Sequence, residues 1–303
     1  MTVTVPTSTR TRRSGGSGLL MAAPALLLFC LFGLVPLVGV VALSLARWDG
    51  LGSVGWAGGG NWSGVLTDGA TWQSLWLTVK VMLVSWLIQT PIALALGVFQ
   101  APRGRLRALF AVLFFLPLLL SAVAIGLTWQ ALLDPSFGIG ATPGLHWLAK
   151  PLLGSPELAL YTVIFVIAWQ FVPFHALLYQ AGIRQIPTAL YEAAALDGAG
   201  PLTRFLHITL PQLKYTMVTS STLMLVGSLT YFDLVFVLSG GTGGPGTATR
   251  VLPLSMYITG FQAHDMGRAS AVATLLVVFG LGLSLLTTRL SGFTRMDSRQ
   301  EGM

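Results

Sequence analysis

Residues 184–214 read RQIPTALYEAAALDGAGPLTRFLHITLPQLK, a polar, self-punctuated stretch between two long apolar runs. Pro187 suits a first helical turn, Thr188 to Leu196 are mostly good helix formers, and Asp197-Gly198 supplies a stop whose glycine tolerates positive φ. Pro201 restarts a helix that Pro211 is expected to end. Each helix is about ten residues, short of the roughly 12 to 15 at which an isolated helix becomes marginal in water, so both need a support. Ala193, Ala194 and Ala195 allow close backbone approach, Tyr191, Leu196, Leu202, Phe205 and Leu206 offer apolar anchors, and Glu192 brings one charge. Two readings follow: a helix that seats in the groove of a partner, or a pair of helices packed beneath the rest of the chain.

The rest of the chain has the composition of a membrane protein. Hydrophobic residues are 54% of its 303 and charged residues 9%, against roughly 25% charged in an ordinary globular protein. The 17 Lys and Arg and 10 Asp and Glu cannot cover a soluble fold of this size, so its surface faces lipid. That excludes a soluble enzyme and a disordered chain. Crossing a hydrocarbon core of about 30 Å takes roughly 20 helical residues, and six runs reach that length: Leu19 to Ala46, Trp72 to Phe99, Leu109 to Leu132, Leu158 to Gln180, Thr216 to Leu238 and Ala269 to Thr288. A helix satisfies its own backbone in lipid, so an all-α membrane protein of six transmembrane helices is expected. The first run is too long for the apolar region of a signal peptide, about 7 to 15 residues, and reads as a retained span although Ser44-Leu45-Ala46 resembles a cleavage site.

The cations give an orientation. Arg10, Arg12, Arg13, Arg103, Arg105, Arg107, Arg184, Arg204, Lys214, Arg289, Arg295 and Arg299 fall on one side, and Arg47, Lys150, Arg250 and Arg268 on the other. The positive-inside rule places both termini and the 184–214 loop in the cytoplasm. The net charge of +7 therefore reads as topology, with no nucleic-acid partner. Residues 1–18 read as a flexible cytoplasmic tail, 19–290 as the transmembrane domain and 291–303 as a cytoplasmic C-terminal tail. Seven tryptophans (Trp48, Trp56, Trp62, Trp72, Trp76, Trp129 and Trp147) lie at or beyond the outer ends of runs, as an aromatic belt does. The Gly-rich stretch 240–249 is no phosphate loop, because no Lys follows the glycines and no strand precedes them. Cys30, the single cysteine, leaves no disulfide framework or Cys-based metal site.

The run YEAAALDGA at 191–199, followed by TLP at 209–211, closely resembles the EAA loop of ABC importer permeases. AWQFVPF at 168–174, QIP at 185–187, LTWQALLDPSFG at 127–138 and YFDLVFVLSGG at 231–241 are similar to the carbohydrate branch of that family, with its maltose and glycerol-3-phosphate permeases. RWDG at 47–50 resembles the first of the two permeases such systems usually encode. Leu77, before Thr78, stands where the family often has Asn. The resemblance covers about Ala22 to Leu290 and implies the type I ABC importer permease fold in the inner membrane of a bacterium or archaeon. It implies that Tyr191, Glu192, Ala193, Ala194, Leu196, Asp197 and Gly198 form a coupling helix seated in a separate ATPase. It further implies two such ATPase subunits, a second homologous permease making a heterodimer, and an extracytoplasmic sugar-binding protein. ATP would be used by the partner, and this chain would bind no cofactor or metal and carry no catalytic residue.

Polar residues inside the runs are the candidates for a solute path. Lys80 and Asp233 each cost about 2.5 to 3.5 kcal/mol near a helix centre on insertion scales, so each needs a partner, a route to the interface or a function. A sugar path needs hydroxyl-directed hydrogen bonds and an aromatic face, and Lys80, Trp129, Gln130, Gln170, Tyr231 and Asp233 are its candidates. His175 is either a proton relay or a residue bonding a neighbouring carbonyl. Pro91, Pro117 and Pro173 mark expected kinks, and Gly267, Ala269, Ala271 and Ala273 expected close packing. Two other functions compete: an ion-coupled carrier or channel acting alone, against which stand the absence of an inverted repeat and the single elaborated loop, and an intramembrane enzyme, for which His146, His175, His207 and His264 show no catalytic or metal spacing.

Overall fold

The computed structural model describes residues 15–146 and 149–291. The expected C-terminal tail beyond 291, most of the N-terminal tail and Trp147 lie outside them. Helix α1 (Gly15–Phe29) continues through a π turn at Cys30–Leu34 into α2 (Val35–Leu43), a rod whose apolar side chains are mostly exposed. Pro36 follows the π turn: its ring crowds the carbonyl four residues back, and the widened turn lets the Val35 N–H bond the Cys30 carbonyl. A short antiparallel ribbon, β1 (Ala46–Arg47) with β2 (Gly55–Trp56), pairs Ala46 with Trp56 and leads to α3 (Gly60–Thr67).

Two parallel helices form the centre. One is α4 (Gly69–Gln100), whose N-terminus is capped by the Asp68 carboxylate accepting from the Ala70 N–H. After it come α5 (Arg105–Leu119) and α6 (Ala122–Leu132), and then the second central helix, α7 (Ala159–Arg184). Gly97 lets α4 and α7 meet, since a Cβ there would lie 2.7 Å from the Tyr179 Cβ. At the same end the Gln180 amide donates to the Gln100 carbonyl at 2.8 Å and Arg184 Nε to the Ala101 carbonyl at 3.1 Å, satisfying carbonyls that the end of α4 leaves free. Val81, Ile164, Ile167, Val235 and Leu254 pack into the main core, and Ala93, Ala176, Tyr179 and Met224 into a second one nearer the 184–214 loop.

The loop folds as α8 (Thr188–Leu196), α9 (Pro201–Arg204), a π turn at Phe205–Thr209 and α10 (Leu210–Gln212). Pro211 does not end the helix as expected. The chain stays helical through it because the Leu210 N–H bonds the Phe205 carbonyl, the same arrangement that precedes Pro36. Then come α11 (Lys214–Gly227), a 3-10 turn at Ser228–Thr230, α12 (Asp233–Leu238), α13 (Leu252–Tyr257) with a π turn at Ile258–Gln262, and α14 (Met266–Ser291). Gly267 is forced by packing, because the Ala46 carbonyl and the Asn61 side chain fill the space a Cβ would need. Ala269 and Ala271 are buried beside it, as their size suggested.

All six expected runs are helical, but two are not continuous. Met21–Leu43, Gly69–Gln100, Ala159–Arg184 and Met266–Arg289 are each long and apolar enough to cross a membrane. The third run breaks into α5 and α6, bent by 98°, where Leu120 is extended and Ser121 Oγ starts the new helix by accepting from the Ala124 N–H. The fifth run stops at Gly227 and resumes at Asp233. The segment 252–262, outside the six expected runs, is also helical and its first turn is buried: Leu252 and Leu254 are in the core, and Thr78 Oγ1 accepts from the Leu252 N–H at 2.8 Å. Pro253 sits in that first turn, where no intrahelical N–H is needed.

Candidate functional site: an exposed helix and a cavity in the bundle

Helix α8 stands clear of the bundle. Glu192, Ala193, Leu196, Asp197 and Gly198 are exposed, Leu196 by 91%, while Tyr191 and Ala194 are half-buried. Its end is a Schellman motif. Gly198 takes φ +75°, the Gly198 N–H bonds the Ala195 carbonyl and the Ala199 N–H bonds the Ala194 carbonyl. Arg204 Nε then donates to the Ala199 carbonyl at 2.7 Å, and the Tyr191 hydroxyl lies 2.9 Å from Thr209 Oγ1. The helix is thus held at both sides of its turn while its apolar tip stays in the open. Of the two readings of this loop, packing beneath the bundle does not describe α8.

Between α7, α11 and α12 a cavity of ≈ 500 Å³ brings together Gln170, Tyr231 and Asp233 of the six path candidates. Tyr231 stacks at a tilt on Phe171, centroids 5.3 Å apart, and Gln170 Oε1 is buried with no hydrogen-bond partner. Asp233 opens α12, where a carboxylate also suits the helix N-terminus. The cavity holds an aromatic face beside a carboxamide, a phenol and a carboxylate, groups that bind hydroxyls. His175 lines it too, with Nδ1 3.0 Å from Ser220 Oγ, so its partner is a hydroxyl of α11 and not a neighbouring carbonyl.

The other three candidates lie elsewhere. Gln130 Nε2 donates to the Val237 carbonyl at 2.6 Å, a bond that ties α6 to α12. Trp129 packs edge-on against Phe165 and Trp169 at 5.2 and 5.5 Å. Lys80 Nζ sits 4.7 Å from the Tyr161 ring centroid and does not pair with Asp233; among the described residues the one ion pair is Arg268 with Asp68 at 3.0 Å. Sequence reasoning missed Gln89, fully buried on α4 beside the Tyr231 hydroxyl. An amide one residue from Thr90-Pro91 inside an apolar run was the signal available. Asn61 has a structural role: its amide donates to the Ser44 and Ala46 carbonyls at 3.0 and 2.7 Å.

Residues 89–295 match the family described as binding-protein-dependent transport system inner membrane component. The chain belongs to this family. It is 35% identical over 274 residues to YurN of Bacillus subtilis, a probable ABC transporter permease protein, covering 88% of this chain and 93% of that one. It is 30% identical over 291 residues to MalF of Thermococcus litoralis, a trehalose/maltose transport system permease protein, covering 93% and 96%. Its fold matches a chain of a bacterial ABC transporter involved in the import of the acidic polysaccharide alginate, with a TM-score of 0.79 at 22% identity over 93% of this chain and 96% of that one. The chain is therefore an integral membrane ABC importer permease with the type I fold. In such systems ATP is hydrolysed by separate subunits, and the permease is a transport component. The broken third and fifth spans of this permease border the cavity, through Leu118 and Ala122 on one side and Gly227 to Leu234 on the other.

Proposed function

We propose that this permease carries a sugar or related polyol across the inner membrane of a bacterium or archaeon, paired with a second, homologous permease. The carrying observation is the cavity in which Phe171 and Tyr231 present ring faces beside Gln170 and Asp233. Apolar walls with a few convergent hydroxyl-binding groups suit a carbohydrate better than an ion or an acyl chain. The names of sugar permeases among its relatives, MalF of Thermococcus litoralis and the arabinooligosaccharide permease AraP of Bacillus subtilis, point the same way.

Two ATPase subunits bind on the cytoplasmic side, where both termini and residues 184–214 lie, and an extracytoplasmic sugar-binding protein delivers solute from the other. Glu192, Ala193, Ala194 and Leu196 seat in an ATPase groove, with Tyr191, Asp197 and Gly198 fixing the helix behind them. Closure of the ATPases on ATP moves α8, and the Arg184 and Gln180 bonds to the end of α4 pass that motion to both central helices. Nucleotide is bound and hydrolysed by the partner ATPases. Purification of the tagged permease from its native membrane, followed by mass spectrometry, tests the reading: an ATPase, a second permease and a solute-binding protein are expected together. Solute uptake by the isolated chain in liposomes without ATP would overturn it.

A further inference from the structure

We propose that the groove between α4, α5 and α7 is a binding site for an anionic phospholipid, with Lys80 and Tyr161 at its headgroup end. The groove encloses ≈ 610 Å³ between apolar side chains. Its α4 wall is Ile88, Ile92 and Leu96, and its α7 wall includes Tyr161, Phe165, Trp169 and Pro173. Both sets step by four residues, so each is a helical ridge, and Ile164, Ala168 and Val172 line the groove from the adjoining ridge of α7. Followed away from the coupling loop, the α4 ridge continues through Val84 to Lys80, Trp76 and Trp72, the two indoles 64% and 48% exposed. The α7 ridge ends at Tyr161, whose ring lies under the Lys80 ammonium.

The two ridges that form the groove thus end together in a cation and a phenol, directly beneath exposed tryptophans of the kind that sit at headgroup level. Tyr161 to Pro173 spans about 18 Å at 1.5 Å per residue, close to the roughly 15 Å that one leaflet contributes to a 30 Å core. An acyl chain lies along the groove and its phosphate reaches Lys80, which makes no ion pair among the described residues. A neutral lipid fills the same groove but leaves that charge without a counterpart. This site is independent of the solute carried.

The test uses the purified permease complex in nanodiscs containing equal parts phosphatidylglycerol and phosphatidylcholine, with retained lipid counted by native mass spectrometry. Phosphatidylglycerol is expected to be retained about fivefold over phosphatidylcholine, the scale of one lysine's attraction to anionic lipid. Lys80→Gln removes the preference and Lys80→Arg keeps it. An unchanged preference in Lys80→Gln overturns the proposal. A photo-crosslinker at Phe114, on the α5 side of the groove, gives a second reading that needs no change at Lys80: a lipid adduct supports the site, and capture of a protein chain in the assembled complex overturns it.

Discussion

The Tyr191 hydroxyl and Thr209 Oγ1 lie 2.9 Å apart, joining the exposed α8 to the π turn that leads into α11. Thr209 is buried, so this bond is shielded from competing water. Tyr191→Phe is expected to leave insertion intact and loosen α8 by the net value of one hydrogen bond, about 0.5–1.5 kcal/mol. Hydrogen exchange across 188–197 measures it. Thr209→Val should give the same acceleration and the double variant no more, because both remove one interaction.

Gly198 carries the turn after α8 at φ +75°. Gly198→Ala puts a Cβ into the left-handed region at a cost of about 1–2 kcal/mol, frays residues 193–199 and reduces the amount of ATPase that co-purifies. Gly200→Ala is the control: its φ is −74° and nothing lies within 4 Å of the added carbon, so assembly should be unaffected.

Gly126 is where α6 meets α12, and a Cβ there would lie 2.7 Å from Val237 Cγ1. Gly126→Ala should lower the thermal midpoint of the complex through overpacking, about 1–3 kcal/mol. Adding Val237→Ala should restore most of the loss, since the clash is with that side chain. Additive losses in the double variant would refute this account of the α6–α12 contact.

At the end of α4 away from residues 184–214, Asp68 meets Arg268 and caps the helix. Burial pushes the Asp68 carboxyl up, but the Thr71 hydroxyl, the Ala70 N–H and Arg268 together hold it below its ordinary 3.8. A depressed carboxyl stabilises the fold fully above its unfolded value and loses that effect as pH falls through its folded one. Its contribution should therefore be constant from neutral pH down to about 5 and vanish only below 3.8. Thermal midpoints of the wild type and Asp68→Asn, compared across that range, should converge only in acid.

Much of this architecture is legible in the sequence, and the losses have physical causes. Continuous apolar length reveals α4, α7 and α14, since a helix of that length in lipid has no alternative. It cannot reveal the break at Leu120-Ser121, because both halves are equally apolar and only the serine cap marks the corner. It also passes over Leu252 to Gln262, which is too short to span and enters the core only because Thr78 and α14 await it. Helix α8 is legible down to its glycine because caps are local chemistry. The path candidates are half legible: chemistry selects polar side chains, but apolar helices carry no moment to say which way they face. Gln170, Tyr231 and Asp233 face the cavity, whereas Gln130 turns to the Val237 carbonyl.

The central claim is that α8 transmits the ATPase's motion through Glu192 and its neighbours. Its most direct test is substrate-stimulated ATP hydrolysis by the complete complex in proteoliposomes, with Glu192→Lys against wild type. Reversing the one charge on an exposed face should leave the permease folded and inserted while abolishing the stimulation and transport together. Unchanged stimulation and transport in a normally inserted Glu192→Lys complex would contradict the account.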